Sequence, residues 1–239
     1  GMNSKMINLK TNPFFLDDEA IAWVNRTLSE MTVEEKVGQL FCVLFKEGKP
    51  EEFDYVYSIL KPGGCMYRVI PTERAVAASQ ALQARSKIPL LIAANLEKGG
   101  NGIVKEGTLV GAPMEIAATD DTEMAAKMAQ ACAEEAKAVG ANWAFAPIID
   151  IDTNFRNPIT NTRTFGSDPE RVTRMGKAYV ERVQALGMAA SIKHFPGDGQ
   201  DERDQHLVTS INSMDCETWM NTYGKAYQTS IDAGALTCM

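Results

Sequence analysis

Residues 187–206 read GMAASIKHFPGDGQDERDQH. An apolar run from Gly187 continues through Ile192 and breaks off at Lys193, His194 and Phe195 before Pro196 and Gly197, the pattern of a short strand ending in a tight turn. Lys193 and His194 therefore stand at the strand's C-terminal end. The stretch Lys193 to His206 also holds both histidines of the chain, with one lysine, three aspartates and two glycines. Imidazole changes charge near neutral pH, so two of them in one Gly/Pro-broken loop point to proton transfer or metal ligation. Asp204 and His206 are spaced for the carboxylate to orient the ring, as in acid/base dyads. The plainer reading is a solvated polar turn with one packed histidine.

Outward from this stretch, apolar runs alternate with helical patterns, the rhythm of βα units building a parallel sheet. Strands are expected at Gly38–Phe45, Gly63–Arg68, Pro89–Asn95, Trp143–Asp150, Met188–Phe195 and Ala235–Met239. Amphipathic helices are expected at Thr72–Ser86, Thr122–Val139, Asp168–Leu186 and Asp215–Ala233. Such a chain folds either as a doubly wound sheet or as a TIM barrel, and the polar residues decide. Asn95, Asp150, Lys193 and His194 end different strands, where barrel enzymes collect their active sites. A dinucleotide fold wants Gly-x-Gly-x-x-Gly after its first strand, and the residues after Phe45 read KEGKPEEF instead. The expected fold is α/β, a TIM (β/α)8-type barrel forming one domain over 1–239, C-terminally incomplete after about six of its eight strands. Such a sheet exposes a parallel edge through which the chain is expected to self-associate.

The loop itself resembles the glycoside hydrolase family 3 motif in its β-N-acetylglucosaminidase branch: Lys-His-Phe-Pro-Gly-His/Asp-Gly, four residues, then Asp-Ser/Thr-His. Lys193 to Gly199 match its first part, and Asp204, Gln205 and His206 its second, with Gln205 replacing the usual small hydroxyl residue. Met31–Leu40 (MTVEEKVGQL) resembles the family's N-terminal motif, and Thr32 with Glu35 three residues on reads as a capping box. Trp143–Asp150 (WAFAPIID) resembles its fourth strand. Arg156-Asn157-Pro158 and Arg163-Thr164-Phe165-Gly166 resemble the motif that follows, and DAGALTCM (232–239) its sixth strand.

The resemblance implies a retaining exo-β-glycosidase acting on terminal β-linked sugars, foremost β-N-acetylglucosaminides, through a covalent glycosyl-enzyme. His206 would serve as acid/base with Asp204 orienting it, and Arg163, Lys193 and His194 would hold ring hydroxyls. The family's nucleophile, an aspartate after the seventh strand, would lie beyond Met239, so this chain alone is expected to be inactive. Where the branch carries Asp-Gln-Glu-Gly-Gly after the third strand, residues 95–100 read NLEKGG. Asn95 as a substrate contact loses the stronger charge-assisted bond. Arg163 reads equally as a loop salt bridge, and Lys98 as a solvated charge. Other readings stay open: an inactive sugar-binding remnant, a glycoside phosphorylase, and, weakest, a divalent-metal enzyme using His194, Asp198, Asp201, Asp204 and His206. Against the metal, Pro196, Gly197 and Gly199 serve a turn, and Lys193 would put a cation beside the ion.

Composition bounds the rest. With 45% hydrophobic and 23% charged residues the 239-residue chain is ordinary for a globular enzyme domain. A net charge of −7 without clustered Lys and Arg disfavours nucleic acid and anionic membrane and is compatible with a neutral carbohydrate substrate. Five widely spaced cysteines without a Cys-x-x-Cys pair read as reduced core residues. No apolar run is long enough to span a bilayer, no signal peptide is evident, and Gly1 before Met2 looks like a cleavage scar. A cytoplasmic location and no cofactor or metal are expected.

Overall fold

The computed structural model describes residues 7–239. Its centre is a six-stranded, all-parallel sheet in sequential order: β1 (Cys42–Phe45), β2 (Gly64–Tyr67), β3 (Leu91–Ala94), β4 (Trp143–Ala144), β5 (Ala189–Ile192) and β6 (Thr237–Cys238). The helices are α1 (Asp18–Glu30), α2 (Val33–Gly38), α3 (Pro50–Leu60), α4 (Thr72–Arg85), α5 (Pro113–Ala118), α6 (Thr122–Ala138), α7 (Pro169–Ala185), α8 (Cys216–Trp219) and α9 (Lys225–Asp232). Consecutive parallel strands need crossovers, and α3, α4, α6, α7 and α9 supply them.

Local chemistry explains where the longest helices begin and which face they bury. Asp121 and Asp168 cap α6 and α7 by accepting from the N–H of Glu123 and Glu170, and Pro169 takes a first-turn position where no donor is needed. On α7, Val172, Met175, Gly176, Tyr179, Val180 and Val183 are buried, the spacing of one helical stripe. A Cβ added at Gly176 would lie 2.7 Å from Ile149 Cγ2, so glycine lets α7 settle against the segment after β4. The expected capping box is present at α2: Glu35 N–H donates to Thr32 Oγ1 at 3.2 Å and Thr32 N–H to Glu35 Oε2 at 2.9 Å.

Three expectations are refined. Gly38 ends α2 rather than opening β1, because its Cα lies against the Leu60 carbonyl, where a Cβ would come within 2.2 Å. The β4 ladder stops at Ala144 and resumes only as a single bridge between Ile148 and Lys193, since Pro147 has no N–H to donate. The helix expected over Asp215–Ala233 is divided by a π-turn at Met220–Gly224. The helix α3 has no counterpart among the expected elements. Its start in KEGKPEEF is polar and holds a proline, but Pro50 occupies the first turn and Phe53 is fully buried.

All five cysteines are free, but only Cys65 and Cys132 are buried; Cys42, Cys216 and Cys238 are exposed, against the expectation of a core role for each. Among the described residues β1 and β6 are each paired on one side only, and Leu40, Phe41, Leu44, Leu236 and Met239 are exposed near them. No described helix is long and apolar enough to cross a membrane.

Candidate active site

The loops that leave β3, β4 and β5 meet at the C-terminal end of the sheet. Beyond β3 the Leu96 carbonyl accepts from Tyr179 Oη of α7 at 2.6 Å and Cys132 Sγ of α6 at 3.3 Å. This anchors the backbone just before Glu97. The Glu97 carboxylate then takes three charged donors: Arg163 Nε at 3.0 Å, Arg163 Nη2 at 2.9 Å and Lys193 Nζ at 2.9 Å. Arg163, from the single turn Asn161–Arg163, is steadied by a third bond from Nη1 to the Ile159 carbonyl at 3.1 Å. Burial acts to raise the Glu97 pKa, but the Arg163 fork and the Lys193 ammonium outweigh it and hold the carboxyl at about 2. Burial draws the Lys193 ammonium below its ordinary value, against the pull of Glu97.

A second buried carboxylate organises His194. Asp150 is fully buried; its Oδ2 lies 2.6 Å from His194 Nδ1, and its Oδ1 accepts the backbone N–H groups of His194 at 3.1 Å and Asp198 at 2.8 Å. With Nδ1 donating to the carboxylate, Nε2 is the ring atom left for a ligand.

The loop from Phe195 to Asp215 is irregular but heavily bonded. Trp219 Nε1 donates to the Pro196 carbonyl at 2.6 Å. Tyr223 Oη meets the carbonyls of Ile151, at 3.0 Å, and Asp198, so one phenol ties the β4 and β5 loops. The π-turn between α8 and α9 holds Tyr223 and directly follows Trp219. Gly197 is required beneath that phenol, because a Cβ there would lie 2.3 Å from the ring. Further along, His206 Nδ1 lies 2.7 Å from Asp204 Oδ1, which also accepts the His206 N–H at 2.9 Å. These bonds, the backbone one first, hold the Asp204 carboxyl below its ordinary value. The His206 side chain is 69% exposed.

Gly199 leaves even less room for a side chain than Gly197. Its φ is +113°, and a Cβ would fall 2.0 Å from the Ile151 carbonyl oxygen. Gly199→Ala is therefore expected to destabilise the chain by roughly 2–4 kcal/mol, from backbone strain and overpacking together. A lowered urea midpoint at unchanged slope checks it; an unchanged midpoint refutes it.

The profile of the glycosyl hydrolase family 3 N terminal domain matches residues 32–239. The chain belongs to this family. It is 51% identical over 234 residues to a β-N-acetylglucosaminidase/β-glucosidase of Cellulomonas fimi, covering 98% of this chain and 42% of that protein. It is 36% identical over 133 residues to β-hexosaminidase A of Pseudoalteromonas piscicida, covering 54% of this chain and 22% of that one. Among solved structures it superposes on the β-glucoside phosphorylase BglX bound to 2FGlc with TM-score 0.92 and 49% identity, covering 97% of this chain and 42% of that one. A family 3 β-N-acetylglucosaminidase from Paenibacillus sp. str. FPU-7 superposes with TM-score 0.82 at 29% identity, covering 87% of this chain and 41% of that one. The chain thus spans about two fifths of the Cellulomonas protein and of the two solved structures and about a fifth of the Pseudoalteromonas protein; the N-terminal domains of these neighbours are TIM barrels, and its open sheet corresponds to part of that barrel.

Within this family 3 domain, Arg163 and Lys193 converge on Glu97, His194 pairs with Asp150, and Asp204 pairs with His206. No hydrogen bond among the described residues ties His206 to the Glu97 group. Asn95 is exposed at the end of β3, its amide bonded to none of them. The two organising carboxylates carry no role in the sequence reading: Glu97 is only part of NLEKGG after the third strand, and Asp150 only one of the polar strand ends. The residues weighed as metal ligands do not converge, since His194 turns to Asp150, Asp198 to Asn157, Asp201 to Arg203 and His206 to Asp204.

Proposed function

We propose that the polypeptide carrying this chain is a retaining exo-β-glycosidase that releases terminal β-linked N-acetylglucosamine or glucose. The observation that carries the reading is the exposed His206 ring paired with Asp204 on the same loop as Lys193 and His194. Arg163 and Lys193 keep N–H donors uncommitted after binding Glu97, which suit the lone pairs of ring hydroxyls, and His194, with Nδ1 committed to Asp150, keeps Nε2 to accept a hydroxyl proton. His206, protonated and held by Asp204, donates Nε2–H to the leaving oxygen as a carboxylate nucleophile attacks the anomeric carbon. The neutral ring then takes a proton from the incoming water. The nucleophile is the aspartate expected after a seventh strand.

A second reading is phosphorolysis, favoured by the likeness to the β-glucoside phosphorylase. A neutral imidazole in place of a carboxylate base does not repel a phosphate dianion approaching the glycosyl-enzyme. The natural polypeptide, given nitrophenyl β-N-acetylglucosaminide and β-glucoside with and without inorganic phosphate, distinguishes them. Free sugar formed at a phosphate-independent rate supports hydrolysis, and accumulation of sugar 1-phosphate supports phosphorolysis. No nitrophenol from either donor would sink both and leave a sugar-binding protein.

A further inference from the structure

Phe155 is the most exposed large apolar side chain among the described residues, at 85%. A single exposed phenyl ring is common on protein surfaces and means nothing alone. This one sits at the tip of a turn closed at both ends, with the Arg156 N–H donating to Asn154 Oδ1 at 3.0 Å and the Asn157 N–H to the Asn154 carbonyl at 2.9 Å. The turn is fastened to the β5 loop. Asn154 Nδ2 donates to the Gln200 carbonyl at 2.8 Å, and Arg156 Nη1 to Glu202 Oε1 at 3.2 Å. The Arg156 guanidinium also lies over the Phe155 ring, 5.6 Å from its centroid. One side of the ring is therefore occupied by a cation pinned to Glu202, and its high exposure leaves the other side open.

We propose that Phe155 is the platform for the leaving-group side of the substrate, stacking its open face on the sugar ring of the aglycone. The inference rests on the glycosidase reading above. Glu202 and His206 lie on one loop, so the residue that holds the platform and the residue that protonates the leaving oxygen are carried together. A pyranose presents a patch of C–H bonds on one face, and that patch suits an aromatic ring whose rear is held by a guanidinium. The platform selects substrates whose leaving group is itself a sugar.

The test compares the natural polypeptide with Phe155→Ala and Phe155→Trp on two donors: a β-1,4-linked disaccharide, and the matching β-glycosyl fluoride, whose leaving group has no ring to stack. The expected result for Phe155→Ala is a rise of about three- to tenfold in the ratio of the disaccharide KM to the fluoride KM, with kcat on the disaccharide little changed. Phe155→Trp should restore the wild-type ratio. A ratio unchanged in Phe155→Ala overturns the proposal, whatever happens to absolute rates. Wild-type turnover of the fluoride verifies the activity separately; inactivity on both donors overturns the activity reading and this one with it.

Discussion

Glu97→Gln is expected to lower the stability of the folded chain at neutral pH by about 3 kcal/mol. The carboxylate is 12% exposed and serves two cations, one of them a lysine that is 3% exposed. Removing its charge leaves the Lys193 ammonium buried without a counter-ion and releases the Arg163 fork. The pH dependence follows from the direction of the shift. Glu97 is held at about 2 against an ordinary 4.5, so its contribution is fully present above pH 4.5 and is lost as pH falls toward 2. Lys193, drawn downward by burial, returns part of the gain, so the net effect is smaller than the carboxylate alone would provide. Urea titrations of both proteins at pH 7 and at pH 3 read this directly. The gap between them should be wide at pH 7 and narrower at pH 3. Equal midpoints at pH 7 would mean that the Glu97 cluster contributes nothing to stability.

His206→Ala in the natural polypeptide should reduce kcat/KM on an alkyl β-glycoside by roughly 10²- to 10⁴-fold, the usual contribution of a positioned general acid. The deficit should be smaller on a dinitrophenyl glycoside, whose leaving group departs without a proton. Asp204→Asn should fall between wild type and His206→Ala, because the ring stays in place while its orientation and charge partner are weakened. Among the described residues His206 bonds only to Asp204 and its side chain is mostly exposed, so His206→Ala should keep the wild-type circular dichroism spectrum. A variant that keeps more than a tenth of wild-type activity on the alkyl glycoside would remove His206 from the acid/base role.

The α/β rhythm and the parallel order of the strands were legible because their causes are local. Asp121 and Asp168 cap their own helices, Thr32 and Glu35 close a box over three residues, and the α7 stripe repeats within one helix. The α3 helix was missed because its polar, proline-containing start resembles a loop, and only the burial of Phe53 against Phe45 at 5.7 Å between ring centroids makes it part of the core. The π-turn was equally invisible: it accompanies the packing of Trp219 and Tyr223 onto the Pro196–Asp198 loop, a contact between distant segments.

The same division runs through the candidate site. Asp204 and His206 are two residues apart, so a single turn suffices to bring carboxylate and imidazole into contact, and the sequence by itself determined that pair. Glu97 meets Arg163 across 66 residues and Lys193 across 96, and Asp150 meets His194 across 44. No local preference encodes such contacts. They form because β3, β4 and β5 lie side by side in a parallel sheet, so that their loops emerge at one end, and because α6 and α7 hold the Leu96 carbonyl that aims Glu97. The residue types and their positions at strand ends were therefore written in the chain, while which carboxylate holds which cation was decided only when the sheet brought those ends together.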